Sequence, residues 1–217
     1  MTARRHAFVA MPFGTKRDAD GVLINFDKVY FDYLQPALEA AGLEVFRADQ
    51  EQRAGDIRTD MFQELLVADL VVADLTLDNP NVWYELGVRH ALRARGVVLV
   101  CGGRVTTAFD LYTDRKLRYT LLDGAPDPCT LPDDIQALNE MVKATMDSWH
   151  GRKISPVYEL LPNLMEPDWK SLRIGAVAQF WDQHKTWEQR LKLAGAKWDK
   201  DHAQSMLDLV ALHSSIH

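Results

Sequence analysis

The chain has 217 residues, 47% hydrophobic and 26% charged, with a formal net charge of −6. That length can bury a full core without disulfide or metal staples, as one medium globular unit or a compact domain with an appendage. The negative balance argues against a general nucleic-acid binder, and no segment approaches the ~20 apolar residues that span a bilayer.

The two cysteines, Cys101 and Cys129, lack metal-ligand spacing, and so few of them suit a reducing compartment. The opening "MTARRHAFVAMPFG" is basic, but its apolar run is too short for a signal peptide. A cytoplasmic protein with no membrane, metal or nucleic-acid partner is expected.

In chain order, "HAFVAM" (6–11) reads as a buried strand ended by Pro12 and Gly14. A polar loop, "GTKRDADGVLIN", carries Lys16 and Arg17 and leads to a helix over 26–41. Asn25 is its expected N-cap, Gly42 its stop, and Pro36 a kink or local break. "LEVFRA" (43–48) is the second strand. Asp56 then caps a helix over 57–68, with Ile57, Met61, Leu65 and Leu66 inward. "DLVVADLT" (69–76) is apolar on both faces, as in a covered parallel sheet. A helix over 81–95, a strand over 96–102, a helical stretch near 106–116 and a fifth strand over 118–123 follow. This alternation predicts an α/β fold: a doubly wound, parallel, five-stranded sheet of flavodoxin-like order.

After Gly124 the character changes. "APDPCTLPDD" has three prolines and reads as a linker, which sets an α/β domain over 1–125 and a helical region over 126–217. Helices are expected over 133–148, 154–161, 170–194 and 200–214. Trp149, Trp169, Trp181, Trp187 and Trp198 lie there, and Val177, Phe180, Trp181, His184, Trp187 and Leu191 fall at helical spacing. Such a C-terminal extension packs on the first domain, on a second copy or on a protein partner.

Ligands of open α/β sheets bind beyond the carboxyl ends of the strands. The sequence assigns to that rim Phe13 and Gly14, Asp49 and Arg53, then Asp74, Thr76, Asn79 and Asn81, and finally Gly102 and Gly103. Glu85 follows in the first turn of a helix, beside Trp83 and Tyr84. No Walker loop, G-x-G-x-x-G or G-x-S-x-G is present, which removes support for NTP hydrolysis, dinucleotide oxidoreduction and hydrolase triads. Two readings of Glu85 stand: a charge favourable to the helix dipole, or a carboxylate that stabilises or traps an oxocarbenium-like sugar. Asp74 is equally a loop cap or a ligand for ribose hydroxyls. His90 reads as structural, and Arg89 and Arg93 as a solvated face rather than a phosphate rim.

The runs "FVAMPFG", "FDKVYFDYLQPALEAAGLEVFRAD" and "ADLVVADLTLDNPNVWYELGVRHALRARGVVLV" resemble the TIR-like and nucleoside 2-deoxyribosyltransferase-like superfamily over residues 6–101. The step N-P-N-V-W-Y-E-L-G is the most specific part. The resemblance implies that Glu85 is the carboxylate of N-glycosidic chemistry, with NAD or a related nucleotide or nucleoside as substrate and no cofactor. Around it, the strand-end rim gives the expected substrate site as Phe13, Gly14, Asp49, Asp74, Asn79, Asn81 and Tyr84. A second likeness, carried by "VWYELGVR", a later "YT" and the helical C-terminal part, is to the N-terminal region of apoptosis signal-regulating kinases. Bacterial relatives of that region are labelled TRAFs-binding-domain proteins. That likeness implies a non-catalytic, partner-binding module. The expected function is therefore N-glycosidic cleavage in bacterial defence or stress signalling, with the regulatory module as the alternative.

Overall fold

The computed structural model describes residues 5–47, 57–103, 116–147 and 155–168. The chain divides into two compact units, Arg4–Leu172 and Met1–Ala3 with Arg173–His217, and all that follows belongs to the first. The five tryptophans beyond residue 148, the helices expected near 106–116, over 170–194 and over 200–214, Asp49, Arg53 and the Asp56 cap lie outside the described residues.

Strands β1 (Arg5–Ala10), β4 (Leu43–Arg47), β5 (Leu70–Asp74), β6 (Val97–Gly102) and β7 (Lys116–Tyr119) form one sheet. All its pairings are parallel, in the order β4-β1-β5-β6-β7. Counted along the chain this is 2-1-3-4-5, compatible with a flavodoxin-like fold. The central strands are apolar over Ala7–Ala10, Leu70–Ala73 and Val97–Cys101 because both sheet faces are covered. Ala7, Val9, Leu70, Val72, Val98 and Val100 bury on one face, and Phe8, Ala10, Val71, Ala73, Val97 and Leu99 on the other. Each fully buried Val or Leu contributes about 1.5–3 kcal/mol, so a polar residue on either face would be costly.

The first face is covered by residues 26–40 and by α5 (Leu131–Asp147), whose Leu138, Val142 and Met146 join that core. The second is covered by α3 (Ile57–Val67) and α4 (Pro80–Leu92). Because α5 packs into the same core as the sheet, the α/β unit runs past the boundary expected at 125. The proline-rich run is not a linker between domains. It holds the short strand β9 (Ala125–Pro126) and leads directly into α5.

Residues 26–40 bear out the effect expected of Pro36. Asn25 caps α1 (Phe26–Lys28) by accepting from the Lys28 N–H at 3.1 Å. The chain then widens into a π-helical stretch, Val29–Leu34, before α2 (Gln35–Ala40), which has Pro36 in its first turn. The Gln35 N–H reaches back five residues to the Tyr30 carbonyl. A wide turn accommodates a proline that has no N–H to give and a ring that would collide with a normal helical carbonyl. Gly42, with φ of 81°, ends the helix.

The loop expected over 14–25 is instead a hairpin of β2 (Thr15–Arg17) and β3 (Leu23–Asn25). Asp18 Oδ1 accepts from the Asp20 and Val22 N–H groups and fixes its turn. The expected fifth strand splits: β7 stops at Tyr119, and β8 (Leu121–Leu122) pairs antiparallel with β9 around Asp123–Gly124. Both turn residues have positive φ, as a two-residue hairpin turn demands. The Asn25 N–H donates to the Gly124 carbonyl at 2.8 Å, so the two hairpins are joined. No helix among the described residues is long and apolar enough to cross a membrane.

A Cβ at Gly124 would land on the Leu23 carbonyl, in a backbone conformation that already disfavours it. Gly124→Ala is expected to cost roughly 2–4 kcal/mol in urea unfolding. Gly42→Ala, with equal φ strain but open space, should cost only about 1 kcal/mol.

Candidate functional site

Among the described residues, the polar groups beyond the carboxyl ends of the strands fall into three clusters. At the ends of β5, β6 and β7, three strands are latched by one buried network. Asp74 is fully buried; its Oδ1 accepts the Thr76 N–H at 2.8 Å and its Oδ2 the Tyr119 hydroxyl at 2.8 Å. Thr76 Oγ1 lies 2.9 Å from the Tyr119 hydroxyl and accepts the Gly102 N–H at 2.8 Å. Gly102 permits this, since a Cβ there would meet the Tyr119 ring at 2.6 Å. Burial pushes the Asp74 carboxyl up, opposed by its hydrogen bonds from Thr76 and Tyr119; burial likewise pushes the Tyr119 phenol up. Asp74 thus offers no open oxygen to a ribose and organises the rim from beneath. Tyr119, absent from the sequence expectation, is the residue that closes the network.

In front of this latch lies a cleft of about 760 Å³. The β2–β3 hairpin, the turn at Thr76–Asp78, Gly102–Gly103 and the Asp123–Gly124 turn line it. Among the described residues, its charged lining is Asp18, Asp20, Asp78 and Asp123 with Arg17. Four carboxylates facing one guanidinium repel a phosphate and attract a cation or a hydrogen-bond donor. Arg17 is further occupied, donating to the Gly21 carbonyl at 2.8 Å. It belongs to the β2–β3 hairpin.

The second cluster surrounds Arg47 at the end of β4. Its guanidinium bonds Asp27 Oδ1 at 3.0 Å and lies over Tyr30 at 4.4 Å, with Phe13 and Phe31 each at 5.5 Å. Asp27 also accepts the Gly14 N–H at 3.3 Å. Phe13 remains 38% exposed, so one side of its ring is open. Gly14 adopts a φ of 63° that turns the chain into the hairpin.

The third cluster is α4. Asn79 caps it, accepting the Asn81 and Val82 N–H groups at 2.9 and 3.4 Å, so that side-chain oxygen is engaged. Pro80 occupies its first turn, where the missing N–H costs nothing. The helix therefore starts one residue earlier than expected, and its first turn holds no acidic residue. Glu85 lies beyond it, where the dipole has faded, so a helix-start charge no longer explains it. Its side chain leans back toward the helix start, the end adjoining Asp78. Glu85 is half-buried, no hydrogen bond or ion pair among the described residues reaches its carboxylate, and burial pushes it up to about 7. It is not among the residues lining the cleft. Asn81 is exposed, and Tyr84, 62% exposed, meets Phe62 edge-on at 5.7 Å.

Arg89, four residues after Glu85, is at the spacing of a helical ion pair yet forms none. It is fully buried and donates to four carbonyls: Leu65 and Ala68 at the end of α3, and Arg95 and Gly96 beyond α4. Arg93 donates to the Leu66 carbonyl at 2.8 Å. The expected solvated face is thus a clamp on the carbonyl end of α3, where unsatisfied oxygens and the dipole favour cations. Burial lowers the Arg89 guanidinium to about 9 and the neighbouring His90 imidazole to about 4, so His90 is a neutral structural group. From α4 onward, Ser155 Oγ donates to the His90 carbonyl at 2.7 Å, and Tyr158, on α6 (Pro156–Leu160), donates to that of Ala91 at 3.1 Å.

The structure therefore joins Asp74, Thr76 and Gly102 in one network of which Thr76 and Gly102 line the cleft, sets Phe13 and Gly14 on the Arg47 cluster, and leaves Glu85 on α4, outside the cleft lining. No family model and no curated protein matches the chain.

Burial raises the Glu85 carboxyl from 4.5 to about 7, so the folded state holds a proton that the unfolded chain releases between these values. Stability falls as pH rises through that window. Glu85→Gln should therefore exceed the parent by on the order of 1–3 kcal/mol at pH 8 and match it below about pH 4.5, read from urea midpoints.

Proposed function

We propose that this protein cleaves the N-glycosidic bond of NAD or a related nucleotide, and that it is a relative of the TIR-like and deoxyribosyltransferase-like enzymes. One observation carries the reading: Glu85 is a half-buried carboxylate with no partner among the described residues, on the helix that follows the central strand. An unpaired acid kept from water costs stability, and such groups concentrate where chemistry needs them. In its ionised form Glu85 stabilises or traps the ribosyl cation as the base departs.

The leaving group suits the surroundings. Nicotinamide departs from the pyridinium as a neutral molecule and needs no acid. The acidic cleft attracts the cationic pyridinium end of such a substrate and holds the phosphates outside. The open side of Phe13 provides a stacking surface for a base.

A second reading, a nucleotide-sensing or protein-interaction module like the regulatory region of apoptosis signal-regulating kinases, is favoured by one feature. Leu160, Leu161, Leu164 and Met165 are all exposed within six residues, and such runs mark partner surfaces.

Incubation with NAD over a wide range of enzyme concentrations, followed by chromatography, separates the two. Nicotinamide release is expected to rise with pH through about 7, as Glu85 ionises, and to fall at least about a thousandfold in Glu85→Gln. Undiminished release by that variant excludes Glu85 chemistry.

A further inference from the structure

We infer that the cleft in front of the Asp74 latch is a binding site for an aliphatic polyamine, a chain of methylenes carrying several ammonium groups. The inference goes beyond the N-glycosidic reading and stands whether or not Glu85 turns over a nucleotide, because Glu85 lies outside the cleft lining. A cleft of about 760 Å³ is of the size that small-molecule ligands fill. What the lining offers then selects the ligand.

An anion is repelled, since among the described lining residues four carboxylates outweigh the Arg17 guanidinium and leave a formal charge of −3. A metal ion needs oxygens that converge on one point. Among the described residues no three carboxylates, histidines or cysteines come together in that way. The aspartates come instead from three separate turns: Asp18 and Asp20 from the β2–β3 hairpin, Asp78 from the turn after β5, and Asp123 from the β8–β9 hairpin. Charges held apart suit a cation whose own charges are spread along a chain. Between them Ile24, Leu77 and Leu121 also line the cleft, and methylenes laid on such side chains leave water favourably.

Thr76 points to the same class of ligand independently of the charges. It lines the cleft although only 4% exposed. Hydrogen counting leaves it one acceptor short of a partner. The Tyr119 proton goes to Asp74, so the Thr76 hydroxyl donates to Tyr119, and one Thr76 lone pair accepts the Gly102 N–H. The other lone pair can be met by a donor in the cleft. Arg17 is no such donor, because its guanidinium is turned to the Gly21 carbonyl. Asp18 likewise spends Oδ1 on the Asp20 and Val22 N–H groups, and no hydrogen bond among the described residues reaches its Oδ2. Primary and secondary ammonium groups supply charge and N–H together, whereas the ring nitrogen of a pyridinium supplies charge alone. The walls are set before any ligand arrives, since the Asn25 N–H ties the first hairpin to the Gly124 carbonyl of the second.

Isothermal titration of the full chain with spermidine tests this. One molecule should bind per chain, more weakly as salt is raised. Asp78→Asn combined with Asp123→Asn should weaken binding about tenfold, and asparagine tolerates the positive φ at position 123. Asp32→Asn combined with Asp147→Asn removes the same charge from exposed positions outside the lining and should leave binding unchanged. On the parent protein, hexane-1,6-diamine should bind about tenfold more tightly than hexamethonium, which keeps the charges and methylenes but has no N–H to give. Magnesium ion should bind more weakly than spermidine. Absence of saturable spermidine binding, equal loss in the two double variants, hexamethonium matching the diamine, or magnesium binding the more tightly each overturns the polyamine site.

Discussion

One buried guanidinium sets the second layer of this molecule. Arg89 satisfies four carbonyls at once, two at the end of α3 and two just beyond α4, and so fixes how these helices lie together on the sheet. A buried cation without such oxygens would be intolerable, and helix-end carbonyls without a donor nearly so. Each demand meets the other. Glu85 rides on the same helix four residues earlier, and because Arg89 is committed to backbone oxygens, the acid stays unneutralised. Gly96 belongs to the same arrangement, since a Cβ there would strike both the Asp69 carbonyl and the guanidinium.

The electrostatics of the rim divide the labour among carboxylates. Asp74 is enclosed and fully bonded, Asp27 is matched to Arg47, and the aspartates of the cleft face water. Glu85 alone combines partial burial with no matching charge or donor among the described residues. Burying an unmatched acid runs against stability, and groups with such shifted protonation concentrate at functional sites.

The sheet was readable from the chain because its central strands are apolar on both faces, as a covered parallel sheet demands. The Asn25 cap, the Gly42 stop and the disturbance at Pro36 were readable because each acts over a few residues. The two small hairpins were not: strands of two or three residues carry no period, and polar residues between 15 and 22 look like loop. The Asp123–Gly124 pair was the available signal for the second hairpin. Arg89 and Arg93 misled because charge at helical spacing does not reveal whether it points to water or to the end of another helix. Of the site, Asp74 and Glu85 were legible from their position after the central strand. Tyr119 was not, since its partner lies 45 residues away and nothing local announces the pairing.

The π-helical stretch has a consequence for how the sheet's two edges are tied. Tyr30 reaches under Arg47, on edge strand β4, while Tyr33 reaches Tyr119, on the opposite edge strand β7. In a regular α-helix residues three apart share one side; the wider turn swings them apart, so one helix grips both margins. Removing a single residue from Val29–Leu34 would tighten the coil, bring the two phenols to the same side, and oblige the helix to release one margin. One inserted residue thus acts as a spacer between the Arg47 cluster and the Asp74 latch.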